Sequence, residues 1–378
     1  EGKMMRKLLT MKLFTSIAIH AAVLALGIGP FAAPRAGAAE CGDVFGPGGS
    51  YTLDSNVGPC SESPALTVIS ATLDMAEFTV SCASADSGVG VSIAGSRAAV
   101  SDGVVNGCGT GFRVDGSRHE LIGNEVHGGT GTGVLIYGTR HFVRGNEVEA
   151  SADGFAIVGE RNTLVDNVAT DNSLSGFSII AGSRNRLSGN RAEDNGTYGF
   201  WVFDERTELA ANHASGNGSA GFYVGGDDRS RLTGNYASFN SIGFLISSSS
   251  ARNTLAQNVA SSNGDGFKID GDSNTFRDNE SRFNTENGFD VNGTENVLSR
   301  NVAADNGDDG FDLDGERNRL TRNEAHKNGA IGEPGNRNGF HVSNDFNALT
   351  GNVATENAEF GFVIDDGIFG NSITNRNI

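Results

Sequence analysis

A Gly-Phe dipeptide returns along most of this 378-residue chain at an almost constant interval. Its glycine stands at positions 111, 133 (followed there by Val), 154, 176, 199, 221, 243, 266, 288, 310, 339 and 361. The steps are 22, 21, 22, 23, 22, 22, 23, 22, 22, 29 and 22 residues. Self-similarity at such a period excludes a single globular core and requires stacked units that each contact only their neighbours. The unit reads G-F-x-[VI]-x-G-x-x-N-x-L-x-x-N-x-[AV]-x-x-N, plain in GFDVNGTENVLSRNVAADN from Gly288 and GFDLDGERNRLTRNEAHKN from Gly310.

Within each unit the apolar residues alternate in short runs, which is the period of a strand, and no 3.6-residue stripe persists. Three strands of about four residues in a 22-residue turn make a parallel β-helix, with Phe, Val or Ile, Leu, and Ala or Val turned inward. Twelve to thirteen rungs at about 4.8 Å give a rod of roughly 60 Å. Composition agrees: Phe is used 23 times against 5 Tyr and 1 Trp, so one aromatic fills one repeated role. Two columns of Asn mark the turns, one from Asn124 to Asn352 and one from Asn172 to Asn357. An inward Asn tolerates bent backbone, and its amide can bond the rungs above and below.

The repeat resembles the right-handed parallel β-helix of pectin-lyase-like folds, NosD-type periplasmic proteins and mannuronan C5-epimerases. Thr72-Leu73-Asp74-Met75-Ala76-Glu77-Phe78-Thr79-Val80 resembles the entry segment of that group, and the likeness covers about residues 65–378. It implies an all-β, right-handed solenoid. It does not select an activity, because the scaffold hosts lyases, hydrolases, epimerases and non-enzymes. The epimerase Asp-Pro-His motif is absent, and Asp308-Asp309 stands without the Gly-His-Gly of polygalacturonases.

Residues 1–39 read as a signal peptide with an upstream leader: a basic start, an apolar run from Leu13 to Ile28, then small residues ending in Gly37-Ala38-Ala39. Its removal leaves no membrane span and points to a secreted, periplasmic or cell-surface protein. The formal charge is -18; residues 1–39 carry five basic side chains and one acidic, +4, so the remainder carries -22. Such acidity argues against a nucleic-acid partner. Cys41, Cys60, Cys82 and Cys108 are the four cysteines, and export predicts two disulfides among three possible pairings. Cys41–Cys60 with Cys82–Cys108 is preferred. Residues 40–87 are expected to form a disulfide-bearing cap with the first rungs, and 88–378 the repeat domain.

Function belongs on outward positions, since the inward ones are committed to packing. The residue after each Gly-Phe forms one outward column: Arg113, Leu135, Ala156, Ser178, Trp201, Tyr223, Leu245, Lys268, Asp290, Asp312, His341 and Val363. Two residues further on, a second column includes Asp115, Tyr137, Ile180, Phe203, Asp270, Asp314 and Asp365. Trp201, Tyr223, Phe203 and Tyr137 are candidate platforms for sugar rings. Asp290 and Asp312 fall about one rung apart, which suits acid–base chemistry or a shared cation. His341 and Lys268 are candidate proton carriers. Asp270, Asp290, Asp312 and Asp314 are candidate Ca2+ ligands, with Asp265 and Asp309 beside them. The longest step places its insertion within Gly329–Arg337, at the rung of His341.

Two further columns carry chemistry or only structure. Arg97, Arg118, Arg140, Arg161, Arg184, Arg206, Arg229 and Arg252 occupy one turn position on eight rungs, either as a row for a polyanion or as stems lying along the turns. His119 and His141 share the position of Asn162 and Asn185, either as a metal pair or as substitutes for ladder Asn. The reading as a whole is an exported protein that binds an extracellular polysaccharide along the Gly-Phe face; whether it also processes its ligand, as a lyase, glycoside hydrolase or epimerase, the sequence leaves open. The alternatives are a non-catalytic structural solenoid and a NosD-like accessory protein for metalloenzyme maturation.

Overall fold

The structure is a computed structural model and describes residues 38–86, 88–226, 229–329 and 337–374. The leader expectation for residues 1–37 and the insertion at 330–336 lie outside the described residues. Among those described there is no helix, and so none long and apolar enough to cross a membrane. The chain winds through three parallel sheets of 15, 15 and 14 strands, each strand pairing with the one a full turn later.

The coil count exceeds the expected twelve to thirteen because residues 43–82 already wind regularly. Asp43–Phe45, Ser50–Thr52 and Val57–Cys60 are the first three strands, one for each sheet. The N-terminal segment holds the first coils of the solenoid, without the Gly-Phe signature. Cys41–Cys60 and Cys82–Cys108 are bonded, with Cα atoms 5.5 and 5.0 Å apart, and so close the preferred pairing over these coils.

The interior is a set of one-residue columns. From Phe155 to Phe362 successive phenylalanines stack with ring centroids 4.7–4.8 Å apart and planes within 6° of parallel. The third sheet answers this bulk. Val80, Val105, Val126 and Val148 fill its inward column before the stack begins, and Ala169, Ala192, Ala214 and Ala237 fill it afterwards. The glycine before each Phe is dictated by space. A Cβ on Gly288 would lie 2.6 Å from the Gly310 carbonyl oxygen and 2.8 Å from the Ala303 methyl group.

The corners follow one rule: a residue in the left-handed region, then a buried polar side chain. Arg206, Ala211, Gly234, Phe239 and Gln257 all have φ near +60°, and Asn212, Asn235, Asn240 and Asn258 follow four of them. The Asn235 side chain is typical. Its Oδ1 accepts the backbone N–H of Asn212 at 2.9 Å, and its Nδ2 donates to the Leu209 carbonyl and to Asn258 Oδ1, each at 3.0 Å. Such a column satisfies the corner backbone that no sheet ladder reaches. There are three such ladders, one more than the sequence reading named. The third runs through Asn162, Asn185, Asn253, Asn274, Asn296, Asn318 and Asn347. Where it lacks Asn, the fully buried Asp204 accepts from Asn185 Nδ2 at 2.5 Å and from Thr207 Oγ1 at 2.8 Å.

His119 and His141 belong to this third ladder. Their rings are buried and stacked with centroids 5.0 Å apart. Nδ1 accepts the N–H of Ala98 or His119, at 3.0 and 3.2 Å, while Nε2 lies 3.0 and 3.2 Å from the carbonyl oxygens of Asp115 and Tyr137. Both nitrogens of each ring are engaged, so they replace ladder Asn and offer no lone pair to a metal. The Arg row is the left-handed residue of the same corner, with φ from 55° to 67°, and its side chains are exposed.

Two outcomes follow from the ladders. Asn235→Ala strands the Asn212 N–H and the Leu209 carbonyl in the interior, at about 1–3 kcal/mol for each group; a marked fall in denaturation midpoint in urea is expected. Burial lowers both imidazoles, His141 to about 4 with the neighbouring His119 adding to it. The folded state thus refuses protons that the unfolded chain takes up, and stability falls as pH drops from 6.5 toward 4. A His119→Asn/His141→Asn double variant should flatten that part of a thermal-midpoint profile between pH 7 and 4.

Candidate functional site

Parallel pairing without slippage carries an outward residue into line with its counterpart one coil away. The first outward column holds throughout: Trp201 pairs with Tyr223, Tyr223 with Leu245, Leu245 with Lys268, Lys268 with Asp290, Asp290 with Asp312, and Asp312 with His341. The second column does not. A register shift after Ile157 pairs Val158 with Ala181, so Ile180 is not in it.

At one end of the column lies an aromatic patch. Trp201 and Tyr223 are half-buried on adjacent strands. Phe203 sits between them, 5.4 Å from the Trp201 ring and 6.4 Å from that of Tyr223. It is 8% exposed and tucked against Gly225 and Gly226, so it supports the patch and offers no free face to a sugar. Tyr137 is also unsuitable as a platform, because the Arg113 guanidinium covers its ring at 5.4 Å and is itself held by Asp115 at 2.7 Å. Tyr198, which the sequence reading missed, packs on Tyr223 at 4.9 Å. It lies immediately before a Gly-Phe pair, a position treated as featureless except where it is acidic.

At the other end two adjacent carboxylates are flanked by Lys268 on one side and His341 on the other. Asp290 and Asp312 are in register on adjacent strands, yet each is paired away from the other. Asp290 accepts from Lys268 Nζ, and Asp312 Oδ1 lies 2.8 Å from His341 Nδ1. His341 Nε2 meets Asp365 Oδ1 at 3.1 Å. The bond to Asp312 lifts the His341 imidazole, against opposition from burial and with help from Asp365, to about 9. Burial opposes the charge on Lys268, but the Asp290 hydrogen bond and the charges of Asp290, Asp265 and Asp270 together outweigh it, and the ammonium is held above its ordinary value. Burial raises Asp290 in spite of that bond.

Behind this column runs an alternating Asp–Asn ladder. Asp265 Oδ1 accepts the Asn287 N–H at 3.1 Å, Asn287 Oδ1 accepts the Asp309 N–H at 2.9 Å, and Asp309 Oδ1 accepts the Asn338 N–H at 2.5 Å. Burial pushes both acids up to about 7; the Asp290 charge adds to this at Asp265, while the Asn338 bond resists it at Asp309.

The four carboxylates expected to bind Ca2+ do not converge. Asp290 is taken by Lys268, Asp270 accepts from Asn292 Nδ2 at 2.9 Å, and Asp314 accepts from Ser343 Oγ. Only Asp312 of the four joins a possible ligand cluster. Asp309, Asp312 and His341 bring one ligand atom each to within 4.8 Å of one another. The sequence reading placed Asp309 in the acidic patch but gave it no ligand role.

The chain belongs to the right-handed β-helix family: the model of the right handed beta helix region matches residues 74–213, 133–280, 198–304 and 243–378. No curated protein sequence matches it. Similar solved structures include the periplasmic alginate epimerase AlgG, 14% identical, covering 82% of this chain and 77% of that one with a TM-score of 0.41. They also include the pectate lyase Pel9A (15% identical, 89% and 78% covered, TM-score 0.37). A third is the A-module of the mannuronan C-5 epimerase AlgE4 of Azotobacter vinelandii (16% identical, 89% and 90% covered, TM-score 0.38). Likeness at this level does not bear on activity.

The buried acids set a pH dependence of their own. Asp265 has a folded value near 7 against an ordinary 3.8, so the folded chain keeps a proton that the unfolded chain has lost. Its contribution is complete below about 4 and disappears as pH rises through 7. Asp265→Asn keeps an acceptor for the Asn287 N–H and removes the titration. Its thermal midpoint should exceed that of the parent protein at pH 8, with the difference vanishing toward pH 4; an unchanged slope would refute the assignment.

Proposed function

We propose that this protein binds an acidic polysaccharide along the outer column of the first sheet and processes it beside Lys268 and Asp290. The observation that carries this reading is the unbroken register from Trp201 and Tyr223 to Lys268, Asp290, Asp312 and His341. Six coil steps at about 4.8 Å make a track of roughly 29 Å, long enough for several sugar rings. Trp201 and Tyr223 offer apolar surface to the C–H faces of a ring. Lys268 and His341 supply positive charge on a chain whose net charge would otherwise repel a uronate polymer. The exposed Arg row borders the aromatic half of the sheet and adds to that attraction.

Chemically, epimerisation and eliminative cleavage of a uronate both begin with loss of the proton alpha to its carboxyl group. Asp290, a carboxylate raised by burial, is the stronger base for that step. Lys268 would hold the sugar carboxylate and stabilise the negative charge that develops on it. His341, oriented by Asp312, would hold the carboxylate of the next charged unit. The competing reading is a binding solenoid without turnover, in which the same ion pairs only neutralise the face.

A panel of acidic and neutral polysaccharides, with and without Ca2+, separates the two. Unsaturated or shortened oligosaccharides by mass spectrometry, or an inverted C5 centre by proton NMR, are expected with an acidic polymer. Asp290→Asn should lower turnover at least about 100-fold with an unchanged circular dichroism spectrum. Trp201→Ala should raise KM more than it lowers kcat. Binding without any product would favour the solenoid reading.

A further inference from the structure

We propose that Asp309, Asp312 and His341 form a site for one divalent transition-metal ion of the Zn2+ or Mn2+ type, opening onto the outer face of the first sheet. The argument starts from Asp309, which is 1% exposed. Its Oδ1 is fixed by the Asn338 N–H, whereas its Oδ2 has no hydrogen-bond partner and lies 3.7 Å from His341 Nδ1. A buried carboxylate oxygen left unpaired is costly, and it faces the same nitrogen that Asp312 Oδ1 approaches to 2.8 Å. Donor atoms bound tetrahedrally at about 2.0–2.2 Å lie roughly 3.4 Å apart. The two observed separations fall on either side of that value, so small side-chain rotations would admit an ion.

An independent observation concerns the far side of the imidazole. His341 Nε2 is held by Asp365 Oδ1 at 3.1 Å, which is the outer-shell carboxylate that orients a metal-binding His and raises its basicity. The Asn338 N–H fixes the orientation of the Asp309 carboxylate. One imidazole with two carboxylates suits a borderline ion, whereas Ca2+ prefers six to eight oxygens. This set differs from the all-Asp cation site expected from the sequence, and shares only Asp312 with it. Three protein ligands leave a further position for water or for an anionic group on a bound molecule. The inference does not rest on the reaction proposed above, since its test uses the metal alone.

Chelator-treated protein should bind one equivalent of Zn2+ in calorimetry, in preference to Ca2+ in competition. Asp309→Asn and His341→Gln should each weaken Zn2+ binding by at least about 100-fold, and Asp365→Asn by about 10-fold or more. Asp278→Asn, an acid in an ion pair with Arg300 at another corner, should leave it unchanged. X-ray absorption at the zinc edge should report one imidazole and oxygen ligands. Absence of saturable Zn2+ and Mn2+ binding would overturn the proposal, as would equal affinity in the parent protein, Asp309→Asn and His341→Gln. If Asp309→Asn fails to fold, the Asp365→Asn affinity and the edge spectrum of the parent protein decide.

Discussion

Everything in this molecule depends on how its corners dispose of backbone polarity. A sheet ladder pairs the N–H and C=O groups of each strand, but three corners per coil interrupt it, and the interior behind them is apolar. The buried Asn columns close that gap, each amide bonding backbone N–H and C=O groups of the preceding coil and the next amide in line. The residue before each Asn takes the left-handed conformation, usually without being Gly. The bonds an Asn provides offset that local strain, and removing it would leave the strain together with unpaired groups. The coil spacing set by these bonds then places the Phe rings 4.7–4.8 Å apart, so ladder and core enforce the same repeat.

This coupling explains what could be read directly from the chain. The inward positions must be nearly the same in every coil, so the Gly-Phe steps and the Asn columns betray the architecture and the first outward column. Legibility fails where coils meet their constraints with other residues. The first coils put Leu66 and Val91 where later coils put Phe, and so lack the Gly-Phe signature that reports their number. Asp204, Thr207 and Ser230 stand in for Asn in the third ladder and hide its continuity. The extra residue at Ile180 shifts the second outward column without altering the 22- to 23-residue spacing of Gly-Phe, so no periodic signal reports it.

The site was less legible than the fold for a related reason. Outward positions carry no periodic rule, and their chemistry depends on which neighbour each side chain chooses. Register places Asp290 beside both Lys268 and Asp312; only side-chain geometry shows that it pairs with the lysine. Phe203 has the sequence position of a platform, but the Gly225-Gly226 turn covers it. Asp309 lies in the Asp–Asn ladder, where a structural role is the ordinary expectation. Its unpaired oxygen becomes visible only once the Asn338 bond is seen to engage the other.

The same spacing that builds the core also limits what a functional column can contain. Side chains directly opposite on adjacent strands feel one another strongly, and like charges there are unfavourable. Lys268 next to Asp290 and Asp312 next to His341 obey that limit, whereas the step between Asp290 and Asp312 does not. The flanking cations draw each carboxylate away from the other, which leaves a charged seam with its partners displaced outward along the rod. An anionic ligand lying along the sheet would meet the two cations on either side of that seam, while the carboxylates between them face its C–H surface. A column of alternating neutral residues could not create such a pattern. The one like-charge step of this column therefore lies between two cations, Lys268 and His341, each one coil beyond it.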